Sequence, residues 1–186
     1  MPKALAIIDV QTLFLSARAE YGPQARMDYV KLSNFLKEQD ASDELEKVAY
    51  ILASPFHDDH KFVQFLKNNN YTIMRKFAEV VKKPVNETEN EGFQFKNRSW
   101  AGSMAWDILT TLPFYDKLYI VSGNGLFCPV VAAAKASGKK VTVLSFTSSL
   151  QKELEKSADQ VIYLDSTFLF DAEEVKARQS KETKNE

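Results

Sequence analysis

The chain has 186 residues, 45% hydrophobic and 12% aromatic, which is enough apolar material for one continuous core without covalent staples. General disorder is excluded by that content, and a membrane-spanning helix by the absence of any apolar run near the roughly 18 residues required. With 24 basic and 25 acidic residues the net charge is −1, so any contact with nucleic acid has to come from local patches.

The first strand is expected at residues 5–10, where Asp9 closes the apolar run too early for a secretory signal. The lone cysteine, Cys128, leaves neither a disulfide framework nor a Cys-rich zinc site, and a reducing cytoplasm is the expected compartment. Tyr29, Leu32, Phe35 and Leu36 mark a helical face, and residues 48–53 a second strand. Asp58 or Asp59 then caps a helix carrying Phe62, Val63, Phe65 and Leu66; His57 and His60 flank those acids, a spacing that suits either a shared metal or the exposed start of a helix.

Residues 71–74 form a third strand. Between Lys76 and Ser99, Pro84, Asn86, Thr88, Asn90 and Gly92 break every helical period, which predicts a long loop or hairpin excursion with ribs at 79–85 and 93–96. Arg75, Lys76, Lys82, Lys83, Lys96 and Arg98 alternate here with Phe77, Phe93, Phe95 and Trp100. That mixture suits a single-stranded nucleic acid, whose backbone attracts cations and whose bases stack on rings; it equally suits aromatics closing a core under a solvated rim, and Glu79, Glu87, Glu89 and Glu91 dilute the basic signal.

Trp100, Met104, Ile108 and Leu109 mark the next helix, and residues 118–121 the fourth strand. A helix over 130–136 is opened by Pro129, a fifth strand covers 141–146, a helix at 150–154 is started by Thr147, Ser148 or Ser149, and a sixth strand covers 161–164. Residues 166–178 read as a last helix capped by Asp165 or Ser166, and 179–186 as a disordered polar tail. Apolar strands alternating with helices predict a single α/β domain over residues 1–178, three-layered, with a parallel sheet of five or six strands covered on both faces and an irregular excursion at 76–99.

Ser122-Gly123-Asn124-Gly125-Leu126-Phe127 stands between the fourth strand and an Ala-rich helix. A glycine-rich turn at such a junction lets backbone N–H groups approach a phosphate, and the helix N-terminus adds positive potential. Chemistry on that phosphate also asks for a charged group, and the candidate position holds Asn124. In parallel α/β sheets, ligands bind beyond the C-terminal strand ends where strand order reverses. If the first and fourth strands are neighbours, Asp9 and Asn124 face one crevice. Cys128 has no histidine brought close by sequence, and Ser16, Ser122 and Ser145 lack a nucleophile elbow. The third strand ends in Met74-Arg75-Lys76 without a phosphorylatable Asp, which sets aside a response-regulator reading.

Four segments carry a resemblance: Ile8-Asp9-Val10-Gln11-Thr12-Leu13-Phe14, Ser122 to Phe127, Gly138-Lys139-Lys140-Val141, and Ser157-Ala158-Asp159-Gln160-Val161-Ile162-Tyr163-Leu164. In order and spacing over roughly residues 4–165 they resemble the NYN family, LabA-like branch, of the PIN-like nucleases. The resemblance implies a PIN-like, Rossmann-like fold and a ribonuclease site whose acids hold Mg²⁺ or Mn²⁺ and activate water against a phosphodiester. Asp9 matches the family's first acid. Thr12 stands where an Ile-Asp-x-x-Asn opening has its Asn, the loss of an amide able to order the site. Arg98-Ser99-Trp100-Ala101, aligned through Asp107, replaces Lys-Gly-x-Asp and lacks the second acid. The Ser-Gly-Asp-x-Asp-Phe element has lost both acids, at Asn124 and Leu126. Asp107 lies six residues beyond Ala101, about 9 Å along a helix and about 120° around it, so it does not fill the missing acid's place; a position in the crevice and one on the helix surface both stay open.

The expectation is a protein that binds single-stranded RNA or another phosphate-bearing ligand with weak or no nuclease activity. Asp9 is the remaining catalytic and metal candidate, with Asn124 as a neutral ligand and Asp107 as a second catalytic candidate. Ser122, Gly123, Asn124 and Gly125 would cradle phosphate, and Arg98 would steer the backbone. Mg²⁺ or Mn²⁺ is expected to be weakly bound or absent, because a neutral amide attracts a hard dication less than a carboxylate does. The alternatives are an active Mg²⁺- or Mn²⁺-dependent ribonuclease with a rearranged site, and a regulatory or scaffold protein that binds a protein partner or a second copy of itself through an apolar helix face.

Overall fold

A computed structural model describes residues 3–40, 44–53, 59–77, 79–82, 93–96 and 100–171. In chain order, β1 (Lys3–Asp9) runs directly into α1 (Val10–Tyr21), followed by α2 (Tyr29–Gln39), β2 (Glu44–Ala53), α3 (His60–Asn68) and β3 (Thr72–Phe77). Two short strands, β4 (Glu79–Lys82) and β5 (Phe93–Lys96), precede α4 (Trp100–Thr111) and β6 (Lys117–Val121). The chain closes with α5 (Cys128–Ala136), β7 (Lys140–Phe146), α6 (Lys152–Ser157) and β8 (Gln160–Leu164).

Six strands form one sheet in the order β3-β2-β1-β6-β7-β8, and every pairing in it is parallel. Successive residues of a strand point to opposite faces, which divides the apolar runs between two cores. On one face Ala4, Ala6 and Ile8 of β1 join Ala49, Ile51, Val121 and Phe146 beneath Leu13 and Ala17 of α1, Leu32 and Leu36 of α2 and Leu66 of α3. On the other, Leu5 and Ile7 join Val48, Leu118, Ile120, Val141 and Val143 beneath Met104 and Ile108 of α4, Val130 and Val131 of α5 and Leu154 of α6. The result is the three-layer α/β architecture expected, with six parallel strands. Strand order reverses between β1 and β6, as the crevice argument required.

Three local expectations need correction. Residues 10–21 carry a helix that the apolar pattern did not announce, because the strand passes into it without a turn: Asp9 ends β1 and its carboxylate caps α1 by accepting from the Thr12 amide. Below α4, Leu112 in the 3₁₀ turn that follows the helix, and not Leu109, completes the buried stripe of Met104 and Ile108; Leu109 lies on the outer side with Trp106 and, just beyond the helix, Phe114. After β8, residues 166–168 make only a 3₁₀ turn capped by Asp165, and Leu169 is extended and bridged to Met27. Burial of Phe168 and Leu169 holds that segment against α2, so a helix beginning at Ser166 does not form. Residues 172–186, including the expected tail, lie outside the described residues. The excursion does contain a hairpin-like pair: β4 and β5 are antiparallel, with Glu79 opposite Lys96 and Lys82 opposite Phe93.

Candidate functional site

The β1–β6 seam positions the site. Ile8 pairs with Val121, so Asp9, the last residue of β1, and Ser122, the first residue after β6, stand side by side at the C-terminal ends of the two central strands. Both are buried, Asp9 at 3% exposure and Ser122 at 1%. The Ser122 hydroxyl donates to Asp9 Oδ2 at 3.1 Å, the Thr12 hydroxyl to the same oxygen at 2.5 Å, and the Thr12 amide to Oδ1 at 3.1 Å. Three donors thus converge on one carboxylate. Thr12, expected to mark a lost amide, supplies two of them.

The glycine-rich turn is closed on itself. Asn124 occupies the cap position of a 3₁₀ turn at Gly125–Phe127, and its Oδ1 accepts from the Leu126 amide at 3.0 Å. The Asn124 amide donates to Ser122 Oγ at 3.3 Å, and the Gly125 amide to Gln151 Oε1 at 3.1 Å. Three of the amides suited to a phosphate are therefore held by side-chain oxygens.

The loop after β7 lies over this turn. The Gln151 amide donates to the Gly123 carbonyl at 3.0 Å, and a Cβ on Gly123 would land on the Ser149 carbonyl and the Ser145 hydroxyl. Glycine at 123 is thus required by backbone-to-backbone approach. At Gly125 the encroaching atom is the Gln151 side-chain oxygen, which can move. Ser145, buried at the end of β7, shares a hydrogen bond with Ser149 at 3.0 Å. The polar run 147–149 was expected only to start a helix; α6 instead begins after Gln151, without a side-chain cap. Its place beside the turn follows from β7 being the neighbour of β6, information that a single sequence does not carry.

Asp107 reaches the strand beside Asp9. Tyr50, in register with Asp9 on β2, donates its hydroxyl to Asp107 Oδ2 at 3.0 Å. Burial first, then the hydrogen bond and charge of Asp107, push the Tyr50 phenol well above its ordinary range, so it stays a neutral donor. Arg98 lies outside the described residues, as do His57 and Asp58. Asp59 stands at the N-cap position of α3 but makes no cap bond; its carboxylate pairs with Arg75. The Lys76 ammonium lies 3.4 Å from Ser103 Oγ of α4.

These donors do not fit a divalent cation well. Asp9 has both oxygens engaged, the Asn124 oxygen caps Leu126, and among the described residues no group of three or more His, Cys, Asp or Glu side chains is placed to hold a metal ion. Mg²⁺ is usually held by one or two carboxylates together with substrate phosphates and waters, and the carboxylate at this crevice is Asp9.

A doubly wound parallel sheet with polar groups at its central switch point is the architecture of a three-layer α/β domain and is consistent with the PIN-like fold. The NYN domain model matches residues 4–165, and the chain belongs to the NYN domain family, a nuclease-type domain associated with RNA. Among solved structures, it is similar to a protein of unknown function from Vibrio parahaemolyticus, with 23% identity, a TM-score of 0.71 and coverage of 91% of this chain and 97% of that one, a likeness of fold alone. A fainter likeness, to MurG of Acinetobacter baumannii, has 14% identity and a TM-score of 0.47 over 92% of this chain and 43% of that one, and carries no functional argument. No curated protein matches the sequence.

Proposed function

We propose that this NYN-domain protein, whose motifs fit the LabA-like branch, binds RNA or a similar phosphate-bearing ligand at the Asp9–Ser122 crevice with weak or no nuclease activity. The observation that carries the reading is the state of Asp9. A catalytic acid has to offer lone pairs to a metal or to water, and here three donors from Thr12 and Ser122 take up three of the roughly four lone-pair sites of the carboxylate, two on Oδ2 and one on Oδ1. The acids that the family pattern places in the next turn are Asn124 and Leu126, neither of which serves as a base. Asp9 thereby becomes a cap and crosslink between β1, α1 and the β6 turn, and Mg²⁺ or Mn²⁺ is held weakly or not at all.

Binding of phosphate remains compatible with this arrangement. Ser122 Oγ, Asn124 Oδ1 and Gln151 Oε1 are acceptors on rotatable side chains, and a phosphate oxygen replaces them at the turn's amides without breaking a helix or strand ladder. Arg98, outside the described residues, is assigned from the sequence the role of steering the nucleic-acid backbone. Cytoplasmic RNA is the ligand that this chemistry and the family fit best.

The test uses labelled single-stranded RNA with Mg²⁺ or Mn²⁺. Retention at low salt that declines as salt rises, with no cleavage, is the expected result. Cleavage that disappears in Asp9→Ala and Asp107→Asn would establish instead an active ribonuclease with a rearranged site. A second reading, a regulatory or scaffold protein that pairs with its own copy, is favoured by the outer side of α4, where Trp106 is 69% and Phe114 71% exposed. Sedimentation velocity separates it: a dimer lost in Trp106→Ser supports pairing through this face, and a monomer at all concentrations removes it.

A further inference from the structure

A phosphate held at the Asp9–Ser122 crevice faces a carboxylate, so a ligand bound there without a metal ion has to draw its attraction from a cation nearby. Helix α1, which starts at that crevice, carries one cation, Arg18, and one acid, Glu20. The two stand about 200° apart around the helix axis, and the Glu20 carboxylate is turned to the loop after β7, where it accepts from the Ser148 amide at 3.0 Å. Gln11, Phe14, Leu15 and Arg18 follow one another at i, i+3, i+4 and i+7 and form a stripe with no acid. None of the four is buried; Leu15 is 54% and Phe14 38% exposed.

The guanidinium carbon of Arg18 lies 4.1 Å from the centroid of the Phe14 ring, one turn back toward the crevice, the direction in which helical side chains lean. Its Nε is withdrawn from solvent and makes no hydrogen bond. No hydrogen bond or ion pair to another described residue engages the rest of the head group, whereas Lys3, Arg75, Lys117 and Lys135 each reach a carboxylate. A guanidinium only donates, and one braced on a ring yet given no acceptor is preorganised for an anion from outside. Phe14 is the fifth residue after Asp9, so the head group stands about 7.5 Å along the helix from the cap.

We propose that Arg18, braced on Phe14, binds the phosphate next to the one at the crevice along a single RNA strand, RNA being the ligand under the reading above, on which this inference rests. The planar fork takes two oxygens of one phosphate side by side, and Phe14 and Leu15 offer apolar surface to the sugar and base between the two phosphates. Asp9 ties the start of α1 to the β6 turn through Thr12 and Ser122, so the fork and the crevice are fixed relative to one another. A contact to phosphate carries no information about the base, and the stripe therefore tracks the backbone with little sequence preference.

Fluorescence anisotropy with a labelled oligouridine of about a dozen nucleotides tests this. Arg18→Gln should weaken binding roughly tenfold or more at low salt and lower the salt slope by about 0.7, the share of one phosphate. Its melting temperature should stay close to the parent's, because the head group has no internal hydrogen bond to lose. Arg18→Lys keeps the charge without the fork, so it should restore the slope and only part of the affinity. Phe14→Leu removes the brace and should weaken binding with the slope unchanged. Parent-like affinity and slope in Arg18→Gln, compared at equal folded fraction, overturn the fork; if Asn124→Asp, measured in chelator, then weakens retention, the crevice reading stands. A loss of affinity in Arg18→Gln with no change of slope would assign Arg18 to the fold and also overturn the fork. If the parent protein retains no RNA at low salt, both proposals fall.

Discussion

Removing the Asp9 carboxylate deprives α1 of its cap and leaves the buried Ser122 hydroxyl without an acceptor, so Asp9→Ala is expected to cost roughly 1–3 kcal/mol in denaturant unfolding. Any activity measured on that variant therefore has to be compared at equal folded fraction. The two glycines of the turn should respond differently to alanine. Gly123→Ala drives a Cβ into the Ser149 carbonyl, which no side-chain rotation relieves, and should destabilise by about 1–3 kcal/mol. Gly125→Ala meets only the movable Gln151 side chain and should cost less, with thermal melts ranking the pair. Lys47 tests a different balance. At 3% exposure its ammonium donates to the Ser33 hydroxyl and the Asn69 carbonyl and lies over the Tyr71 ring. Burial first, then Lys37, lowers its pKa from 10.5 to about 8. Between those values the unfolded chain holds a proton that the native state has released, so stability rises with pH across the window. Lys47→Met should remove that part of the slope, and a difference between the two proteins that is flat from pH 8 to 10.5 would refute the assignment.

At the scale of elements, the Gln151 contact makes a dynamic prediction. Gln151→Ala frees the Gly125 amide, which should exchange with solvent faster by NMR while strand amides of β6 and β7 keep their protection. Unchanged exchange at Gly125 would mean that the side chain does not latch the turn. The same contact shows why part of the site was hidden from sequence reading. The inner strands were legible because β1, β6, β7 and residues 48–53 of β2 are nearly unbroken apolar runs buried on both faces; the edge strands β3 and β8, partly exposed, were legible only through the short runs at 71–74 and 161–164. Of the two ribs expected in the excursion, at 79–85 and 93–96, strands form at Glu79–Lys82 and Phe93–Lys96. Helix α1 was not legible, since Val10, Leu13 and Ala17 continue the apolar run of β1 and the capping acid belongs to the strand. Asp9 and Ser122 were placed together by topology and family resemblance; Gln151, Ser149 and Tyr50 reach the site through neighbours 26 to 57 positions away in sequence, contacts with no local signature.

For the whole molecule, two missing charges at positions 124 and 126 act on a field that is nearly neutral overall, at net −1. Asn124→Asp keeps an oxygen able to cap the 3₁₀ turn, and Leu126→Asp replaces an exposed side chain, so the double variant should fold. Two carboxylates beside Asp9 give a hard dication oxygen ligands that the parent lacks. Millimolar Mn²⁺ should then raise the melting temperature of the double variant and leave the parent unchanged, by preferential binding to the native state. An equal rise in both would show that the parent already holds metal and would count against the pseudo-nuclease reading.

The position of β1 at the centre of the sheet bears on how this chain assembles. Its partner β2 is about one-quarter of the chain away, whereas its other neighbour, β6, waits until residue 117. Residues 3–77 hold three adjacent strands with their own helices, and residues 117–164 hold the other three, joined along a single seam from Ala4–Lys117 to Ile8–Val121. Closing long loops is slow compared with pairing nearby strands, so the two halves should order separately and dock last. The Ser122–Asp9 hydrogen bond, spanning 113 residues, then forms in the final step, and the crevice comes into being only when the protein is complete.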